Sequence, residues 1–213
     1  MGAFSCAAPE AIPEEIFTAG AEELGEALGQ KAENAFTLAK AIREAGRFSL
    51  IKRDAERKTL TIHRLVQVIL QDGMDEETQR LWAERAVRAV NAAFPGGEVN
   101  TWPQCERLLP HAQIGAELIE KWRLELPQAA RLLNQAGYYL YERARYKEAA
   151  PLFQRALTIW ETSLGPEHPN FITCLRNYAS LLRDMKRDAE DERIETRARK
   201  LEERRQQKER ERS

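Results

Sequence analysis

The chain has 213 residues, 43% of them hydrophobic and 31% charged, and its 33 basic and 34 acidic side chains leave a net charge of -1. That length admits one or two domains with a real core, and the balanced charge gives no global attraction to nucleic acid or anionic lipid. No stretch approaches the ~18 apolar residues of a membrane span, the N-terminus lacks the basic start and apolar run of a signal peptide, and Cys6, Cys105 and Cys174 have neither metal-ligand nor redox spacing, so a reducing, cytoplasmic setting without a membrane partner is expected.

Ile12-Pro13-Glu14-Glu15-Ile16-Phe17 reads as a helix start, with proline in the first turn and acidic residues at the positive end of the dipole. A second helix is predicted over 34–45, where Ala35, Leu38, Ala39 and Ile42 recur at helical spacing and Gly46 supplies a stop. The pattern then shortens. Phe48 to Arg53 and Lys58 to Ile62 are β-prone runs around the polar Asp54-Ala55-Glu56-Arg57, which predicts a β-hairpin. Leu65, Val66, Ile69 and Leu70 restore a helical stripe, ending at Asp72-Gly73. A long helix is predicted over 76–93 with Leu81, Trp82, Ala86, Val87 and Val90 buried, and Pro95-Gly96-Gly97 breaks it. Another is predicted over 103–122, where Pro110 removes one amide from the ladder and favours a kink.

From about residue 127 the chain repeats. Leu133-Asn134-Gln135-Ala136-Gly137-Tyr138-Tyr139-Leu140 matches Leu175-Arg176-Asn177-Tyr178-Ala179-Ser180-Leu181-Leu182 at an offset of 42. Between the copies lie Tyr146-Lys147-Glu148-Ala149-Ala150-Pro151-Leu152-Phe153-Gln154-Arg155-Ala156-Leu157 and the loop Leu164-Gly165-Pro166-Glu167-His168-Pro169. These residues resemble a tetratricopeptide repeat, and the period and loop are similar to its kinesin-light-chain subtype. The resemblance implies pairs of antiparallel helices that cross closely at Gly137 and Ala149, with Phe153 and Ala156 against the next repeat. Asp191 and Glu195 depart from that pattern in the second copy, so residues 187–213 are expected to form a capping helix and a charged tail that loosens after Glu202. Only Ile194, Ala198 and Leu201 form an apolar stripe there. Two repeats are a short stack, so the segment 74–126 is expected to pack on the repeat region 127–186 as linking helices.

Residues 9–72, within an expected winged-helix-like module over 1–73, are similar to the winged-helix module of bacterial signal-transduction ATPases of the NB-ARC/STAND type, on Pro9-Glu10-Ala11-Ile12-Pro13-Glu14-Glu15, Ser49-Leu50-Ile51 and Ile62-His63-Arg64-Leu65-Val66-Gln67. The resemblance implies that His63, where that family has a Met-His-Asp-Leu-like motif, contacts a nucleotide phosphate when an NTPase core is present; here Arg64 replaces the acidic residue. No phosphate-binding Gly-x-x-x-x-Gly-Lys-Ser/Thr occurs in the chain. The expectation is a truncated or split form that keeps the regulatory and binding parts.

The chemistry-bearing residues do not cluster. Cys105 and His111 lie six apart on one predicted helix and share no face. His168 is expected to bond to neighbouring backbone. No metal or cofactor site is read from the three scattered histidines and three scattered cysteines. By repeat alignment, Asn134, Tyr138 and Tyr141 in the first copy and Arg176, Ser180 and Arg183 in the second line one concave face. Tyrosines and arginines there suit an extended or acidic peptide.

The resulting expectation is a mainly α chain: a winged-helix-like unit with a small β-hairpin, a helical linker and a tetratricopeptide α-solenoid. Its expected function is non-enzymatic protein or peptide binding within a STAND-like signalling or defence system. One alternative is a winged-helix DNA-binding regulator. Seven basic residues over 43–64 favour it, and the apolar helix after Ile62 speaks against it. Another is an accessory subunit that brings His63 in trans to the ADP site of an NB-ARC/P-loop ATPase. The oligomeric state is open.

Overall fold

The computed structural model describes residues 11–47, 50–96 and 98–212. Cys6, Pro9, Glu10, Phe48, Ser49 and Gly97, which figure in the expectations above, lie outside them. The chain divides into two units, Met1–Leu124 and Glu125–Ser213. Among the described residues no helix is long and apolar enough to cross a membrane.

The hairpin of the first unit forms where the β-prone runs predict it. β2 (Ile51–Asp54) pairs antiparallel with β3 (Thr59–Ile62), Ile51 facing Ile62 and Arg53 facing Leu60. The Asp54 side chain accepts from the Arg57 amide at 2.9 Å and fixes the turn, as short acidic side chains do. A third strand was not expected. Ile12–Pro13, read from sequence as a helix start, is β1, paired antiparallel with β3 to give the order β1-β3-β2. A residue before proline is pushed out of the helical region, and a proline is accepted only on a sheet edge. The helix therefore starts one residue later, as α1 (Glu14–Ala19).

After α1 come a 3-10 turn (Ala21–Leu24), α2 (Glu26–Ala32) and α3 (Ala35–Gly46), whose first turn is capped by the Asn34 side chain accepting from Phe36 N at 2.8 Å. α4 (Arg64–Asp72) leaves the sheet directly. α5 (Glu76–Ala93) is capped by Asp75, and α6 (Trp102–Trp122) carries Pro110 in its interior without ending there. α5 packs on α1, on the 3-10 turn and on α6, and α6 packs on β1. The helices expected as a separate linking segment are thus built into the first unit.

The predicted inner face of α5 needs correction. Val87 and Val90 are buried, Trp82 and Ala86 half-buried, and Leu81 is 44% exposed. The face that turns inward is made of Ala83, Val87, Ala89, Val90 and Ala93. Small residues are needed there because the chain comes very close at Gly20: a Cβ on Gly20 would lie 2.5 Å from Ala89 Cβ. α4 also differs from a simple amphipathic reading. Leu65 and Ile69 are 59% and 61% exposed, and Gln67 is the buried residue.

The second unit is two antiparallel helix pairs: α7 (Pro127–Glu142) with α8 (Tyr146–Ser163), and α9 (Pro169–Asp184) with α10 (Asp188–Arg212). The 42-residue period is repeated at atomic detail. Ala144 and Lys186 both take a left-handed backbone, φ 57° and 59°. Arg145 N bonds to Leu140 O at 2.8 Å and Arg187 N to Leu182 O at 2.9 Å. Each arginine then clamps the glutamate three residues on with two hydrogen bonds, Arg145 to Glu148 and Arg187 to Glu190. This is the expected tetratricopeptide-type stack.

Gly137 lies against Phe153: a Cβ there would sit 3.3 Å from the ring. Ala149, Phe153 and Ala156 are fully buried, as the repeat requires. In the second copy Ala198 keeps its place at 0% exposure, while Asp191, in the position of Ala149, is buried by pairing with Arg183. α10 continues past Glu202. It stays helical to Arg212, with Arg205 bridging Glu202 and Glu209, and Lys208 reaching Glu167 at 2.5 Å.

Candidate peptide-binding face

α7 and α9 are the first helices of the two repeats, and the polar residues they share define the candidate site. Asn134 is buried and accepts from Asn177 Nδ2 at 3.4 Å. Two turns further on, the Tyr141 hydroxyl donates to Asp184 Oδ2 at 2.8 Å. Both contacts join residues 43 apart, one more than the repeat period. The same side of each helix thus meets its neighbour at successive levels, which makes a short polar ladder between α7 and α9.

Beside the ladder lies an aromatic cluster. The Tyr141 ring is 6.3 Å from Tyr138 and 5.8 Å from Tyr146, both tilted. Such pairs are worth about 0.5–1.5 kcal/mol beyond their burial. Tyr138 and Tyr141 are half-buried, so part of each ring remains exposed. Burial pushes the Tyr141 phenol up to about 12, helped by the hydrogen bond to Asp184 and by the charges of Asp184 and Glu142. Burial and the neighbouring Glu142 raise Tyr138 as well. Both phenols are therefore neutral donors at neutral pH.

The second-copy residues fare differently. Ser180 is half-buried and Arg176 exposed. Arg176 adds its charge to the surroundings that hold the Glu202 carboxyl below its usual range, where the main cause is the hydrogen bond from Arg205. Arg183 is engaged by Asp191 at 2.8 and 3.1 Å. The structure thus brings together Asn134, Tyr138 and Tyr141, and it ties Arg183 to the start of α10. Asn177, Asp184 and Tyr146 were missed by sequence reading. The first two sit one residue off the 42-residue equivalence, and Tyr146 opens α8 rather than α7. Tyr178 is core: it is buried, 6.4 Å from the Phe153 ring, and its hydroxyl accepts from Gln154 at 2.6 Å.

In the first unit, His63 caps α4. Its Nδ1 accepts from the Leu65 amide at 3.2 Å, and the side chain is exposed. His168 does the same for α9, accepting from Asn170 N at 3.2 Å. Cys105 and His111 are both buried in α6. The Cys174 thiol is buried and pushed far up by desolvation, with the Phe153 carbonyl 3.8 Å away, so it is chemically inert.

A family model described as a domain of unknown function (DUF7779) matches residues 1–79, and a tetratricopeptide repeat model matches residues 128–201. The chain is also similar to a nucleotide-binding leucine-rich repeat (NLR)-like protein of Hyaloscypha variabilis, 27% identical over 127 residues, which are 59% of this chain. The match covers 13% of that protein's length.

Proposed function

We propose that this chain is a non-enzymatic interaction scaffold, the sensing or regulatory part of an NLR-like or STAND-like signalling or defence system, and that it takes an extended peptide along the paired faces of α7 and α9. The observation that carries this reading is the tyrosine cluster beside the Asn134–Asn177 and Tyr141–Asp184 contacts. It presents rigid aromatic surface next to amide and hydroxyl groups, the combination that dominates protein hot spots. The likeness to tetratricopeptide repeats supports the peptide-binding part, and the likeness to an NLR-like protein supports the signalling part. The sheet order β1-β3-β2 with α4 leaving β3 suits a winged-helix module. In that module His63, exposed at the head of α4, would meet a nucleotide phosphate only when an NTPase domain is supplied.

The test is selection of a random peptide library on the full chain, followed by titration of a selected peptide into wild type and Tyr138→Ala/Arg176→Ala. Wild type should enrich a consensus sequence. The double variant should keep its helical circular dichroism and melting temperature and bind at least tenfold more weakly. Enrichment of no consensus, or unchanged affinity in the folded variant, sinks the proposal. Unfolding of the variant would reassign Tyr138 to the core.

A further inference from the structure

The first unit holds a cleft of about 500 Å³ between α2, α3, α5 and the sheet. That volume is within the range of small-molecule sites, ~300–1,000 Å³. Its floor is apolar. Phe17, Leu38, Ile42 and Leu60 line it, each at most 6% exposed, and the small Ala41 and Ala45 leave the space open. Two cations, Lys31 and Arg85, line the same cleft, and Glu26 is the one carboxylate among its lining residues.

Arginines such as Arg53, Arg88, Arg145, Arg183 and Arg187 each grip a carboxylate. Neither Lys31 nor Arg85 has an ion-pair partner among the described residues. Arg85 is nonetheless held in place. Its guanidinium lies over the Trp82 ring, 4.9 Å from the centroid. It also covers Gly25, where a Cβ would come within 2.8 Å of Arg85 Cζ. Gly25 has φ +79°, a backbone that excludes most side chains, so the space for the guanidinium is built into the chain. An apolar cavity with a fixed, half-buried, unpaired cation is electrostatically incomplete, because a charge beside apolar surface is costly unless it is matched.

We infer that this cleft binds a single-chain anionic amphiphile, its hydrocarbon chain on the Phe17–Leu38–Ile42–Leu60 floor and its carboxylate at Arg85 and Lys31. The hydrophobic floor supplies affinity in proportion to chain length. The two cations supply selectivity for a negative head group over a neutral or positive one.

The test uses the full chain and four probes: decanoate, octanoate, decanol and decyltrimethylammonium, titrated by calorimetry and by tryptophan fluorescence, with Trp82→Phe identifying the responding residue. Decanoate should saturate at one per chain. Octanoate should bind about 15-fold more weakly, two methylenes at ~0.8 kcal/mol each. Decanol should bind at least tenfold more weakly than decanoate, and the ammonium probe more weakly still. Lys31→Gln/Arg85→Gln should bring decanoate down to the decanol affinity and leave decanol unchanged. These substitutions remove no apolar side chain from the core, so the variant is expected to fold. Ala41→Phe should abolish binding of every probe. The inference is overturned if decanoate does not saturate or if decanol equals it. It is equally overturned if the double Gln variant binds decanoate like wild type, or if an amphipathic acidic peptide binds this cleft while no single-chain probe does.

Discussion

The Arg183 guanidinium holds the Asp191 carboxylate with two hydrogen bonds, 2.8 Å from Nε and 3.1 Å from Nη2. Asp191 occupies the place that the fully buried Ala149 fills in the first repeat. It remains buried because the arginine of the preceding helix neutralises it. The same bond engages Arg183, one of the residues of the proposed peptide-binding face. Removing Arg183 alone leaves a buried carboxylate without its cation, which is more costly than removing both. Arg183→Ala should therefore lower the melting temperature of the repeat unit. Asp191→Ala, which restores the small residue, should not, and Arg183→Ala/Asp191→Ala should recover most of the loss. A double-mutant cycle read by thermal melts measures the coupling. An additive cycle would show that the pair contributes nothing.

Burial and the hydrogen bond to Asp184 push the Tyr141 phenol up. Its folded value is about 12, against an unfolded value near 10. Between those values the folded chain keeps the proton that the unfolded chain has lost. Stability contributed by the neutral phenol is therefore complete below about pH 10 and declines as pH rises toward 12. An ultraviolet phenolate titration should show late-titrating phenol at Tyr141 and Tyr138, and Tyr141→Phe should remove part of that late phase. Asp184→Asn should move Tyr141 only part of the way back, because burial is the larger cause. A late phase of unchanged amplitude in Tyr141→Phe would refute the assignment.

Two glycines predict opposite outcomes for one substitution. At Gly20 an added methyl would meet Ala89 Cα at 2.6 Å and the Ile16 carbonyl at 2.7 Å, backbone atoms with no room to move. Gly20→Ala should destabilise the first unit by about 1–3 kcal/mol or more. At Gly137 the nearest atoms belong to the Phe153 ring, 3.3 and 3.4 Å away. A small shift of that ring is offset by the ~1 kcal/mol that alanine gains over glycine inside a helix. Gly137→Ala should leave the repeat unit within about 1 kcal/mol of wild type, whereas the larger, β-branched Gly137→Val should not. Urea unfolding followed at Trp160 for the repeats, and by hydrogen exchange in α1 and α5 for the first unit, separates the two.

His111 predicts acid lability. Burial lowers its value below the usual 6.5, against a smaller opposing effect of the bond to the Ala11 backbone. Below that unfolded value the unfolded chain takes up a proton that the folded chain refuses. Stability is complete above about pH 6.5 and falls with acidification by up to ~1.4 kcal/mol per pH unit until the folded histidine protonates. His111→Leu should flatten this fall in the first unit, as seen by urea midpoints across the acidic range. An unchanged slope would mean that other groups carry it.

The repeats were legible because their signal is long. The four helices, the burial of Ala149 and the contact of Phe153 with Tyr178 of the next repeat all follow from one 42-residue period. The contacts between Asn134 and Asn177 and between Tyr141 and Asp184 were not legible, because adjacent helices mesh one residue out of step with that period. β1 escaped for a different reason. Two residues carry no periodicity, and the acidic pair after Pro13 is itself a helix signal, so the strand and the helix share one motif. In α4 the apolar stripe correctly predicted a helix. It did not predict which side faces the unit: a helix that leaves a strand directly, with His63 as its cap, is oriented by the hairpin, and the buried residue is Gln67. Leu81 turns outward because the approach at Gly20 requires the small Ala89, which lies 69 residues from Gly20 in sequence.

The little sheet has a consequence for how this chain behaves when concentrated. One border is Pro13, which has no amide hydrogen to offer. The other is β2, whose Lys52, Arg53 and Asp54 are charged and exposed. Neither border is a template for another strand, since proline and charge are the devices that stop sheets from growing edge to edge. The hairpin can sit in a crowded cell without seeding fibrils through its own rim.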